Sequence, residues 1–158
     1  MDILVLCTGN SVRSILAEAI FRRDAAGRVG VISAGTNPVG RVHPAVLAFL
    51  DRKGLPSAGL RSKGLAELLG ASAPRPGVIL TLCPAAAEEL PGDWPGRPAT
   101  AHWPMQDPVA APPDQLDLAI QQAFHRLTSR INALLALPFE DMQRADLAAA
   151  LDRIGEML

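Results

Sequence analysis

Residues 6–19 read LCTGNSVRSILAEA, and two of them are able to do chemistry together. Cys7 ends an apolar run, and Arg13, six positions on, opens a stretch with apolar residues at helical spacing. A thiolate is a nucleophile, and a guanidinium grips a tetrahedral oxyanion with two N–H groups at once. Between them lie Thr8, Gly9, Asn10, Ser11 and Val12, small or turn-tolerant apart from the valine. A strand-to-helix loop of this kind aims successive backbone N–H groups at one point, beside the positive end of the helix dipole. Gly9 is expected to supply the positive φ that such a nest uses. An oxyanion held by Thr8–Arg13 would sit over the Cys7 sulfur, and the same field favours the thiolate. Ser14 is placed to donate a hydrogen bond to that sulfur. No G-K-[ST] follows and no G-x-G-x-x-G occurs, so this is not a nucleotide loop.

The elements that must position these residues alternate along the chain. Ile3-Leu4-Val5-Leu6 is a continuous apolar run, as in a strand buried on both faces. Val12, Ile15, Leu16, Ala19 and Ile20 share one helical face. Val29–Ile32 predicts a second strand, Pro44–Leu55 a second helix and Ser62–Leu69 a shorter third. Val78–Leu82 predicts a third strand leading straight into Cys83, and Ala99–Trp103 a fourth. Ile120, Phe124, Leu127, Ile131 and Leu134 stripe a long helix over 114–137. A last helix over 141–157 carries Leu147, Leu151 and Ile154, which with Leu158 form a candidate dimer seam. Strands alternating with helices predict a parallel sheet covered by helices. Ligands bind such sheets at the C-terminal ends of the strands, where Cys7 and Cys83 both fall.

Size and composition bound the rest. The 158 residues are expected to form one domain, 1–158, with a proper core. The formal charge of −1, from 15 basic and 16 acidic residues, gives no bulk attraction to nucleic acid or membrane. No apolar run approaches the roughly 20 residues of a membrane span, and the start lacks a signal-peptide pattern. Two cysteines make no disulfide framework. A cytoplasmic protein with reduced thiols is expected.

The stretch VLCTGNSVRSILAEAI resembles the signature of the low-molecular-weight protein tyrosine phosphatase superfamily, in its arsenate reductase branch. ISAGT (32–36), GLRSK (59–63), TLC (81–83), WPGRPATAHW (94–103), DPVA (107–110) and the stretch at 135–155 resemble successive blocks of that branch. The resemblance implies an α/β fold with a four-stranded parallel sheet flanked by helices, and the active site in the loop after the first strand. By position it makes Cys7 the nucleophile, Arg13 the oxyanion clamp and Asp107 the general acid. Read without it, Asp107 is an Asp-Pro turn, though on a loop that opens at the same sheet edge as Cys7.

Two departures bear on the reaction. Phosphatases of this family carry aromatic residues around the Asp-Pro pair, whereas Val109-Ala110-Ala111 follow here and the chain has no tyrosine. Only Trp103 or Trp94 remain to stack on a phenyl ring, which favours a small inorganic anion. Thioredoxin-coupled arsenate reductases use two further cysteines. Cys83 fits the first of these, but Leu90 stands in place of the other and Pro84 replaces an acidic neighbour. The leading expectation is therefore arsenate reduction completed by an external thiol system, either glutathione with glutaredoxin, mycothiol or thioredoxin. No tightly bound cofactor or metal is expected.

Cys83 either resolves Cys7 as a disulfide, which needs Cα atoms within about 7 Å, or is a buried strand-end cysteine. A phosphatase acting through a cysteinyl-phosphate and a non-catalytic oxyanion-binding relative are the alternatives. Asn10 and Ser33 are expected to brace the loop. Glu18 matches a position that helps to hold potassium in some relatives, with the Lys63 ammonium as a possible replacement. His43 reads as a helix-start residue. The chain is expected to be a monomer or a homodimer.

Overall fold

The computed structural model describes residues 1–69, 75–90 and 94–157. Its centre is a four-stranded parallel sheet: β1 (Asp2–Cys7), β2 (Gly30–Gly35), β3 (Val78–Thr81) and β4 (Ala99–His102), in the order β2-β1-β3-β4. β1 lies inside the sheet, and Ile3 to Cys7 are all buried. That burial is why its sequence is a continuous apolar run rather than an alternating one. Register pairs Cys7 with Gly35 and Leu6 with Thr81, so the chain leaves β1, β2 and β3 at one edge.

Among the described residues five helices flank the sheet: α1 (Arg13–Asp24), α2 (Pro44–Arg52), α3 (Pro84–Glu89), α4 (Leu116–Leu135) and α5 (Arg144–Gly155). α1 packs on β1, β2 and α4, while α5 packs on β4 and α4. Each large aliphatic side chain buried this way contributes about 1.5–3 kcal/mol. No helix among the described residues is long and apolar enough to cross a membrane.

The structure departs from the sequence expectation at five places. α1 is buried along the whole run Ser14–Phe21, not along one stripe, because sheet and helices enclose it. The helix expected over 62–69 shrinks to a single 3-10 turn, Leu65–Leu68. Gly64 before it is extended and bridges to Gly35, so this stretch is recruited to the sheet edge. α3 is an additional helix, short and without apolar periodicity, started by Pro84, whose missing N–H costs nothing in a first turn. The last helix starts at Arg144 rather than 141, since Phe139–Asp141 forms a separate turn. Finally, Leu147, Leu151 and Ile154 are buried in the core, not displayed as a dimer seam. Leu158 lies outside the described residues.

Candidate active site

The loop from Thr8 to Arg13 is held from outside through its carbonyls. Thr36 N donates to Cys7 O (3.1 Å), Asn37 N to Thr8 O (2.9 Å), Val39 N to Gly9 O (3.0 Å) and His43 N to Ser11 O (3.1 Å). Ser62 Oγ adds a second donor to Gly9 O at 3.0 Å. With these carbonyls engaged, the amides remain. Among the described residues those of Gly9, Ser11, Val12 and Arg13 take no protein acceptor, and that of Asn10 donates to Cys7 Sγ at 3.3 Å. Val12 caps α1 without a side-chain bond, and the first turn carries no acidic residue. The positive end of the helix dipole is thus left for the loop.

The left-handed residue of the nest is Asn10, at φ 47°, and not Gly9 as expected. Asparagine tolerates that region because its short amide bonds locally. Here Asn10 Nδ2 donates to Ser14 Oγ (2.7 Å) and Ser33 Oγ (2.9 Å), and Oδ1 accepts from Lys63 N (2.9 Å). Asn10 and Ser33 therefore brace the loop as the sequence suggested. Gly9 instead lies against Val39, which a Cβ there would approach to 3.0 Å.

Cys7 Sγ is hydrogen-bonded to Ser14 Oγ at 2.9 Å. Because Ser14 Oγ accepts from Asn10, its own proton is available to the sulfur. Four residues along α1 from Ser14, the buried Glu18 accepts from Ser33 N (3.0 Å) and Ser33 Oγ (2.8 Å). Arg22, a further four along, donates to Glu18 Oε2 at 2.5 Å. Lys63 Nζ stands 3.7 Å from Glu18 Oε1 and donates to the Arg61 carbonyl at 3.2 Å. Burial pushes the Lys63 ammonium below its ordinary value, and the Glu18 charge opposes that shift.

Arg13 and Asp107 meet across the cleft. Arg13 Nη1 donates to the Met105 carbonyl at 3.1 Å, and Nη2 lies 3.8 Å from Asp107 Oδ2. Asp107 is half exposed, and its Oδ1 caps the turn Pro108–Ala110 by accepting from Val109 N at 3.1 Å. The cleft, about 290 Å³, is lined by Cys7, the loop, Val39, Arg41, His43, Pro44, Asp107 and Val109. Neither tryptophan reaches it. Trp103 is fully buried with its Nε1 on the Leu151 carbonyl, and Trp94 is buried near Asp2, Ile3 and Leu4 at the other end of β1. The stacking surface left open by the sequence is thereby removed.

Cys83 caps α3, and its Sγ sits 3.1 Å from Thr8 Oγ1, so it touches the loop next to Cys7. Leu90 ends α3 and packs partly against the core. His43 caps α2 as expected, its Nδ1 accepting from Ala45 N. Sequence reasoning missed Gly35: a Cβ there would fall 2.4 Å from Thr8 O and 3.0 Å from Asn10 N. It also missed Ser62 and Arg22. The available signals were a small residue closing β2, and the four-residue spacing of Ser14, Glu18 and Arg22 along a helix that is otherwise apolar between Arg13 and Arg23.

A cysteine set beneath a helix start, at the C-terminal edge of a parallel sheet, defines a class of α/β proteins with a cysteine-centred strand-to-helix loop. Within that class the assignment is specific. Residues 2–146 match the low molecular weight phosphotyrosine protein phosphatase family, and the chain belongs to it. It is 28% identical over 106 residues to the glutaredoxin arsenate reductase of Synechocystis sp., covering 67% of this chain and 77% of that protein. An arsenate reductase solved in the phosphate binding state superposes with a TM-score of 0.68 at 26% identity, over 85% of this chain and 96% of that one. The low molecular weight protein tyrosine phosphatase from T. tengcongensis shares the fold, with a TM-score of 0.62 at 20% identity, over 84% and 98%.

Proposed function

We propose that this chain reduces arsenate to arsenite in the cytoplasm as an arsenic-detoxifying enzyme, with Cys7 as nucleophile, Arg13 as oxyanion clamp and Asp107 as general acid. The observation that carries the reading is the wall of the Cys7 cleft, where Val39, Pro44, Val109, two arginines, His43 and Asp107 stand and no Phe, Tyr or Trp is found among the described residues. A phosphotyrosine ring finds no phenyl or indole face to stack on there, whereas a tetrahedral inorganic anion needs only loop amides and a guanidinium. Likeness to arsenate reductases supports the same choice.

The chemistry balances in three steps. The Cys7 thiolate attacks dihydrogen arsenate, a proton from Asp107 converts the departing oxygen to water, and a Cys7–S–As(V) adduct remains. A thiol then attacks the Cys7 sulfur. An S–S bond forms, the S–As bond breaks, and its electron pair stays on arsenic, which leaves as arsenite once the thiol proton has moved to oxygen. A second thiol resolves the mixed disulfide and restores Cys7. Ser14 Oγ and Asn10 N, both directed at the sulfur, hold negative charge there at the start and end of the cycle. Cys83, against Thr8, is the internal candidate for the resolving thiol. Leu90 occupies the position of a third cysteine, so the final reductant is external. Likeness to the glutaredoxin arsenate reductase of Synechocystis sp. favours a glutaredoxin system.

The test is arsenate-dependent NADPH consumption with glutathione–glutaredoxin, thioredoxin and mycothiol systems in separate wells. Turnover is expected in at least one, and Cys7→Ser is expected to lower it by on the order of a thousandfold or more. Hydrolysis of p-nitrophenyl phosphate without thiol is run alongside. The loop, the arginine and the half-exposed Asp107 also suit a cysteinyl-phosphate route. Hydrolysis without any arsenate-dependent turnover would make this chain a phosphatase for small phosphomonoesters. Silence in both assays, with arsenate still protecting Cys7 from alkylation, would make it an oxyanion-binding relative.

A further inference from the structure

Arg41 and His43 stand at the mouth of the Cys7 cleft. Both are tied to the oxyanion loop through one residue. Ser11 Oγ donates to the Arg41 carbonyl at 2.9 Å, and Ser11 O accepts from His43 N at 3.1 Å. His43 Nδ1 accepts from Ala45 N, so the ring proton lies on Nε2 and that edge is a donor. Arg41 is exposed and forms no ion pair among the described residues. Val39, Pro44 and Val109 make up the apolar part of the lining. Asp107, the one acid of the lining, already faces Arg13. The mouth therefore presents one guanidinium without an ion-pair partner among the described residues and an imidazole N–H donor around an aliphatic opening.

We propose that Arg41 and His43 are specificity-determining residues for the reductant. They recognise the carboxylates of a small anionic thiol, such as a γ-glutamyl tripeptide thiol. This rests on the reductase reading above and names the class of its second substrate. A thiol that attacks the Cys7 sulfur must bring its own sulfur through this mouth, and the rest of the molecule then lies among the mouth residues. Charge complementarity at that rim admits a carboxylate-bearing thiol over a neutral sugar thiol or an amino thiol.

The experiment measures mixed-disulfide formation at Cys7 by peptide mass spectrometry, with no arsenate present. The probes are oxidised glutathione (anionic), 2-hydroxyethyl disulfide (neutral) and cystamine (cationic). The wild-type protein is expected to favour the anionic probe, and about 0.5 M salt is expected to shrink the preference. The anionic-to-neutral rate ratio is expected to fall about three- to fivefold in Arg41→Ala and about tenfold in Arg41→Glu, and to survive largely in Arg41→Lys. In arsenate turnover the same variants raise KM for glutathione in the same order. Circular dichroism checks that each variant is folded. Ratios that are equal across wild type and variants overturn the inference, whether or not arsenate is reduced. A ratio that depends on Arg41 in a protein that reduces no arsenate supports the rim's charge selection and overturns the reductase reading instead.

Discussion

Asn10 sets the shape of the Thr8–Arg13 loop, by its backbone at φ 47° and by an amide shared among Ser14, Ser33 and Lys63. Gly35 makes room for it. In Gly35→Ala the new Cβ would collide with the Thr8 carbonyl, and backbone cannot swing aside as a side-chain tip does. The expected cost is about 1–3 kcal/mol of stability. A fall in kcat/KM of roughly a hundredfold should accompany it, because a displacement near 1 Å misaligns the reacting groups. Urea unfolding and steady-state kinetics on one preparation read both. Glu18 carries the next layer. Its removal in Glu18→Ala leaves Ser33 without an acceptor and the buried Lys63 without its counter-charge. Stranding a buried charge costs about 3 kcal/mol or more, and the midpoint of a urea titration should move accordingly.

At the scale of elements, one arginine ties the start of β2 to the join between α4 and α5. Arg28 donates to the carbonyls of Leu135 and Leu137, forms paired bonds to both Glu140 oxygens, and stacks 4.4 Å over the Phe139 ring. The guanidinium holds the Glu140 carboxyl down from 4.5 to about 2. A carboxylate whose folded value lies below its unfolded one stabilises the fold fully above the unfolded value. That contribution is lost as pH falls from about 4.5 towards 2. Glu140→Gln should therefore flatten the dependence of Tm on pH across this window relative to wild type, while separating the two curves most at neutral pH. Differential scanning calorimetry from pH 2 to 7 checks it.

Across the whole molecule, the strand order sets β1 and β3 side by side, and this alone brings Cys83 against Thr8 although 75 residues separate them. The far edge of the sheet is closed by α5. Gly155 lets that helix end approach β4, since a Cβ there would lie 2.8 Å from His102 O and 2.9 Å from Trp103 Cδ1. Gly155→Ala should push α5 off β4 and cost about 1–3 kcal/mol. Cys7 sits on the other side of β3 from this contact. The variant is therefore expected to unfold at lower urea yet keep the wild-type rate of Cys7 alkylation below its transition. An alkylation rate that rose in step with the loss of stability would show that the cup depends on α5.

Local pattern was enough to place Cys7 and Arg13 around one loop, to lay out four strands, and to put Cys7 and Cys83 at strand ends. Those features follow from hydrophobic periodicity and from loop chemistry within a dozen residues. The long stripe of α4 was legible for the same reason, whereas the turn at 65–68, the short α3 and the start of α5 were not. Pairing of Gly64 with Gly35 converts a helical pattern into extended chain, and no local signal announces it. Tertiary structure also decided which residue bears the positive φ, because Asn10 finds its partners in Ser33 and Lys63, 23 and 53 positions away. It decided that α1 has no solvent stripe, that Leu147 and Leu151 face the core, and that both tryptophans lie away from the cleft. Each of these depends on what packs against a side chain from distant sequence, and burial against a partner is a property of the assembled chain.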